Sequence, residues 1–371
     1  MNKHIPSWAC QYVSPPTWTP ATGAPAVAAV AAVLLAAAAA AGEHAEPRRE
    51  ARPAWADALP ADALSNSHFR VERLPNNPII HPGTPGVEPE GGLGHNINGP
   101  SLIRVPDWID NPLGRYYLYF AHHNGSYIRL AYADDLEGPW QMHEGGVLPL
   151  EDAPGRHHVA SPDVHVDDDD RRIRMYFHQP TPHGSPYSGQ RTWVALSEDG
   201  LRFEARDEVL GLFYFRVFAY EGWHYALAKY FNDGGIIYRS RDGLSDFEEG
   251  PRCLPDVRHT AVWVDRDTAT LYVIYSLVEI EGIPEHLYIS TADLTRDWRE
   301  WEFTAPESLL WPEEDWEGAN LPVETSRYGA VRGPVHELRD PAIYEEDGQL
   351  YLLYSVAGEQ GIAIARLHPL D

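Results

Sequence analysis

One pattern recurs five times along this chain and limits its fold more than any other feature: a β-rich run, a polar turn and a second β-rich run. The clearest copies are Gly99-Pro100-Ser101-Leu102-Ile103 leading to Tyr116-Tyr117-Leu118-Tyr119-Phe120, and Asp340-Pro341-Ala342-Ile343-Tyr344 leading to Leu350-Tyr351-Leu352-Leu353-Tyr354. A third runs from Ser161-Pro162-Asp163-Val164-His165-Val166 through Asp167 to Asp170 into Ile173-Arg174-Met175-Tyr176-Phe177. A fourth begins at Arg258-His259-Thr260 and returns at Leu271-Tyr272-Val273-Ile274-Tyr275, and a shorter fifth joins Arg216-Val217-Phe218 to Trp223-His224-Tyr225. Internal repeats of this kind specify stacked or radial architectures.

A third β-rich run follows each hairpin, as in Ile128-Arg129-Leu130-Ala131-Tyr132 and Ile236-Ile237-Tyr238-Arg239-Ser240, and most end in a short acidic turn. Trp140, Phe203, Phe247 and Trp301 stand where a fourth, outer strand would begin. No long stretch carries an apolar spacing of 3.6, so helices should be few. The expectation is an all-β fold, a five-bladed β-propeller with four-stranded antiparallel blades around a central axis.

This architecture sorts residues by face. One face should collect the entries to the first strands and the loops between strands two and three. The entries carry His95, Asn96 and Asn98; His157, His158 and Asp163; Arg216; Arg258 and His259; and Arg339 and Asp340. The loops carry His122 and His123, His178 and His183, Glu279, Glu281 and Glu285, and Glu359. The turns at Asp167 to Asp170 and Glu345 to Gly348 belong to the opposite face as solvated hairpin tips.

Ahead of the repeats, the run from Ala26 to Gly42 is apolar and alanine-dominated, and residues 1–42 are expected to form a signal peptide or an Ala-rich anchor. Export to the periplasm or outside the cell follows from that expectation. Residues 43–67 mix charge, alanine and proline and are expected to be a tether, so the propeller occupies 68–371. No later segment has the roughly 20 apolar residues of a membrane span, so no membrane partner is expected for the mature domain. Lys+Arg 29 against Asp+Glu 55 gives a formal charge of -26, which opposes binding to nucleic acid. Two cysteines, Cys10 and Cys253, imply no disulfide framework.

Asn77-Pro78-Ile79-Ile80 before the first blade, Ala160-Ser161-Pro162-Asp163, Arg339-Asp340-Pro341 and the turn Glu137-Gly138-Pro139-Trp140 resemble the five-bladed glycosidases of families 43, 62 and 32, most nearly glycoside hydrolase family 43. The resemblance covers about 300 residues by short motifs. It implies a glycoside hydrolase, exo-acting and inverting, on plant or algal oligosaccharides or polysaccharides, with a monomer expected. It also implies acid and base carboxyl groups facing across a central pocket, roughly 6.5–9.5 Å apart for inversion. Where family 43 usually has its base aspartate, at the entry to blade one, this chain has Asn98-Gly99-Pro100.

The candidate base or acid-tuning carboxylates are Asp163 and Asp340, each with a competing structural role at a strand entry. Glu317, Glu324 and Glu285 are candidates for the general acid, because burial beside aromatic rings raises a carboxyl pKa. Candidate substrate contacts are His95, Asn98, His122, His123, His158, Arg216, Arg258, His259 and Trp316, with Tyr187 a further stacking ring. The resemblance further implies a central Ca2+ with His259 as a ligand, although calcium prefers oxygen. Zinc lacks a supporting ligand pattern. A non-catalytic carbohydrate-binding propeller, or a polysaccharide lyase or glycoside phosphorylase, are the competing readings.

Overall fold

The computed structural model describes residues 66–370, so the expected export segment and all of the tether up to residue 65 lie outside the described residues. Five antiparallel sheets are present. Blade 1 consists of Asn98–Arg104, Tyr116–Ala121, Tyr127–Ala133 and Gln141–Met142, with the short Leu148–Pro149 also paired to its third strand. Blade 2 is Ala160–Asp167, Arg172–Pro180, Gln190–Ser197 and Glu204–Ala205; blade 3 is Arg216–Tyr220, Trp223–Lys229, Gly235–Ser240 and Glu248–Cys253. Blade 4 is Val257–Asp265, Thr270–Leu277, Leu287–Asp293 and Glu307–Leu310. Blade 5 takes three strands from the C-terminal end, Arg339–Glu346, Gln349–Val356 and Gly361–Pro369. Its outer strand is Phe69–Arg73, paired from Phe69 with Pro369 to Arg73 with Ala365. The two ends of the propeller thus share one sheet, and the ring closes by main-chain hydrogen bonds. Helix among the described residues is limited to single 3-10 turns such as Asp315–Glu317.

Side chains along a strand alternate between faces, and in a propeller both faces of a blade are covered by its neighbours. This explains the nearly unbroken apolar run of Tyr116–Ala121. Leu118 and Phe120 pack toward blade 5 against Leu353 and Ile364, while Tyr117 and Tyr119 pack toward blade 2 against Met175 and Trp193. Three more clusters fill the remaining interfaces, around Phe215 and Tyr238, Tyr225 and Trp301, and Tyr354 and Leu287. Each interface is therefore its own core.

The acidic turns stitch blades together. In Ser197-Glu198-Asp199-Gly200, the Asp199 carboxylate accepts from the N–H groups of Leu201 and Arg202, and Asp242 does the same for Leu244 and Ser245. The glycine that follows turns its carbonyl to the preceding blade: Tyr119 donates to Gly200 at 2.9 Å and Tyr176 to Gly243 at 2.7 Å. Gly200 has φ 73, and a Cβ there would lie 2.7 Å from the Tyr119 hydroxyl, so both conformation and space require glycine. Trp140, Phe203 and Phe247 immediately precede outer strands, as expected. Trp301 instead packs in the core between blades 3 and 4, and the outer strand there begins only at Glu307.

Candidate active site at one mouth of the axis

Four inner strands enter the sheet through a bulge, with breaks in register between Asn98 and Ser101, Ala160 and Asp163, Val257 and Thr260, and Arg339 and Ala342. In blades 1, 2 and 5 the residue before a proline takes a left-handed conformation: Gly99 at φ 61, Ser161 at φ 50 and Asp340 at φ 49. Glycine adopts that conformation freely, whereas serine and aspartate must be held in it. The bulge registers match Arg258 with Asp340, and His259 with Pro341. The two side chains nevertheless meet: His259 Nδ1 and Asp340 Oδ1 are in contact, and Ser355 Oγ donates to the other Asp340 oxygen at 3.2 Å.

Around this pair, the expected convergence of strand entries and two-to-three loops is present. Glu285 receives Arg258 at 3.1 Å, Arg339 at 3.0 Å, and the hydroxyls of Ser276 and Ser326. Glu359 receives Arg339 at 3.4 Å, Asn96 Nδ2 at 2.5 Å and the His123 ring at 3.3 Å. Burial would raise the Glu359 pKa, but the bond to His123 and the charges of Arg339 and Arg258 outweigh it and bring it to about 2. Glu337 differs. Burial is its largest influence and, aided by the nearby Glu285 carboxylate, raises its pKa even though Arg339 binds it. The two carboxyl groups of this network are thus shifted in opposite directions, the kind of separation on which acid–base chemistry depends.

Tyr214, at φ 62, stands between two histidines, its ring 4.0 Å from that of His259 and 4.4 Å from that of His178. Burial, and then the positive charges of Arg258, Lys229 and Arg216, keep His259 neutral by holding its pKa well below the usual imidazole range. His178 is likewise held neutral, mainly by burial. His178 Nδ1 and His259 Nε2 are buried and have no hydrogen-bond partner among the described residues. Leaving a buried polar atom unsatisfied costs about 1–3 kcal/mol, so these two nitrogens mark a place completed by water or ligand.

The other expected site residues divide clearly. His95 lends only its carbonyl, to Arg129, and Asn98 donates to Asn96. His122 bonds Gly94 in a turn, and His158 bonds Gln190 while burial lowers its pKa to about 4. Arg258 lies in the network just described. Arg216 is turned inward: it donates to the carbonyls of Thr260 in blade 4 and Pro162 in blade 2, bridging the axis beneath the mouth. Asp163 accepts from Val217 N–H at 2.8 Å and from His165, and lies 3.5 Å from Arg216. Its carboxylate therefore ties strand entries together, on the side of Arg216 that opens into a cavity of about 670 Å³ toward the opposite face.

Glu317 is not brought to the axis. It is fully buried against the outer strand of blade 5, where it takes Arg73 on both oxygens at 2.8 and 2.9 Å, and the hydroxyl of Tyr354. Trp316 packs beside it in the core between blades 4 and 5. Glu324 and Tyr187 are exposed. Tyr214 and Glu337 escaped the sequence reading. Glu337 had a signal: it lies two residues before Arg339, on the same side of an incoming extended segment.

The residues at His259 do not fit calcium. Among the described residues no group of three or more His, Cys, Asp or Glu side chains is arranged to hold a metal ion, and Arg258, Lys229 and Arg216 surround the ring with positive charge.

No protein-family model matches the chain. An uncharacterized protein of Acanthamoeba polyphaga mimivirus is 34% identical over 331 residues, spanning 80% of this chain and 90% of the viral one. Among solved structures, a thermostable family-43 glycoside hydrolase aligns at TM-score 0.50 with 14% identity, covering 74% of this chain and 89% of its own. The α-L-arabinanase of Cellvibrio cellulosa, complexed with arabinohexaose, aligns at TM-score 0.50 with 12% identity, covering 74% and 92%. The propeller is thus of the kind found in family-43 glycoside hydrolases, and by sequence the chain belongs to the family of the mimivirus protein.

Proposed function

We propose that this protein is a glycoside hydrolase that removes sugar units from the ends of oligosaccharides, by inversion, at the mouth lined by Asp340, His259 and Glu337. The observation that carries the reading is the convergence of two kinds of group at one end of the axis. One is a carboxyl whose pKa burial raises, Glu337; the other is a carboxylate–imidazole pair with an unpartnered nitrogen, Asp340 and His259. Hydrolysis of a glycosidic bond needs a proton given to the leaving oxygen and a proton taken from water. Glu337 supplies the first, and the Asp340–His259 pair accepts the second. Arg216 bridges the axis below, so the mouth ends blindly, which suits a chain end better than a chain running through. The likeness of fold to an arabinanase complexed with arabinohexaose supports a carbohydrate as the ligand.

The test is sugar release from a panel of aryl glycosides and plant and algal oligosaccharides, comparing the unsubstituted protein with Asp340→Asn. Release that the substitution lowers, with the fold intact, supports the hydrolase. Gly99 at the blade-one entry favours a second reading, a carbohydrate-binding propeller without catalysis. Thermal stabilisation by a sugar, with no release from any member of the panel, would establish that reading instead.

A further inference from the structure

We infer that His259, held by Asp340, is the general base that activates water at the mouth, taking the place of a carboxylate. The inference rests on the hydrolase reading and assigns one chemical role within it.

Blade one offers no side chain for the task, because Gly99 occupies the left-handed position at its entry. A Cβ there would lie 3.3 Å from Ser161 Cα, so the backbones of blades 1 and 2 approach too closely for a carboxylate to be accommodated easily. Asp163, in blade 2, is spent on Val217, His165 and Arg216. Glu285 and Glu359 are each bound by arginines. What remains is the pair contributed by blades 4 and 5. The Asp340 carboxylate lies against Nδ1, and a neutral imidazole with its proton on that nitrogen keeps the Nε2 lone pair as acceptor. That nitrogen is buried and unpartnered, and the Tyr214 ring packed 4.0 Å away holds the imidazole in place. Asp340 is fixed in turn by its backbone conformation and by Ser355. The charged and titratable groups facing His259 are Asp340, Arg258, Lys229, Arg216 and His178, with Tyr214 against the ring. All but Asp340 and Tyr214 oppose protonation, so the ring is a free base at neutral pH.

The step balances without an added reactant. Water loses a proton to His259 Nε2 as its oxygen bonds to the anomeric carbon. The bond from that carbon to the departing sugar breaks, and the leaving oxygen takes the proton of Glu337. Asp340 remains a carboxylate throughout and stabilises the imidazolium, a positioning role.

The experiment is the pH profile of kcat/KM for the unsubstituted protein, His259→Ala and Asp340→Asn on the best substrate of the panel, with and without added imidazole. A positioned base contributes about 10²–10⁴-fold, so His259→Ala should lose that much of kcat with KM little changed. Imidazole should restore part of the rate, which a misfolded variant could not show. Asp340→Asn should keep an acid limb but move it to lower pH, because removing the carboxylate makes imidazolium less favourable. If His259→Ala retains the rate and the acid limb while Asp340→Asn loses both, the carboxylate is the base and the inference fails. A His259→Ala loss that imidazole does not restore also overturns it. No sugar release by the unsubstituted protein would overturn the hydrolase reading itself, an outcome distinct from either.

Discussion

The two ends of the propeller axis are built from the same five strands and behave differently. Below Arg216, a cavity of about 670 Å³ is lined by several charges that already have partners. Asp163 is paired with His165 and Arg216, Asp168 with the Trp108 indole, Glu345 with the Trp263 indole, and Glu346 with Arg104 and Arg115. Above it, the mouth holds buried nitrogens with no partner and carboxyl groups whose pKa values are pushed in opposite directions. Unsatisfied polar groups are retained at an energetic cost, and His178 Nδ1 and His259 Nε2 place two of them at the upper end beside the carboxyl network.

This contrast is open to attack. The largest effect belongs to the mouth: Glu337→Gln should lower sugar release about 10²–10⁴-fold with little change in melting temperature, because it removes a proton donor and keeps the shape. Glu324→Gln, on an exposed loop, serves as the control and should leave both unchanged. A Glu324 effect equal to that of Glu337 would mean that the donor lies outside the network.

The lower side should respond in stability. Asp163→Ala leaves Arg216 buried without its charge partner and should cost about 3–5 kcal/mol in urea unfolding, with turnover per folded molecule retained. Burial would raise the Asp163 pKa, but His165, Arg216 and the Val217 N–H together hold it low. Loss of turnover with stability intact would place Asp163 in the chemistry and erase the distinction between the two ends.

Acid should weaken the mouth through Glu359. Its pKa in the folded state, about 2, lies below the ordinary 4.5, so its contribution is present above that ordinary value and is lost as pH falls toward 2. The loss is on the order of 3 kcal/mol. Urea unfolding at pH 6 and pH 3 should capture about 2 kcal/mol of it, and Glu359→Gln should show a shallower fall between the two. The smallest effect is Tyr119→Phe, which deletes one hydroxyl bond to Gly200 and should cost about 1 kcal/mol. That bond lies between blades, remote from either opening, and activity should be unchanged.

Much of the fold was legible in the sequence because a blade is a local object. Strand, turn, strand and Asp-Gly turn follow one another within a few dozen residues, and burial on both faces leaves the nearly unbroken apolar runs of Tyr116–Ala121 and Thr270–Leu277. The order of strands and loops alone assigns Arg258, Glu285, His259 and Asp340 to one end. Closure was less visible. Phe69–Arg73 alternates no more distinctively than many exposed segments, and its role as the outer strand of blade 5 comes from pairing across nearly the whole domain. Glu317 misled for the same reason: acids beside tryptophans suggest a raised pKa, but its partner Arg73 is 244 positions away.

By itself, then, the sequence determined the repeat, the number of blades and the face on which polar groups gather, since period-two alternation and turn chemistry act between near neighbours. Only the tertiary structure decided which of those groups are paired and which are left open. A carboxylate's partner is chosen by proximity in space, and a residue such as Asp163 or Glu337 shows whether it braces a strand or holds a proton only once burial and the neighbouring charges are known.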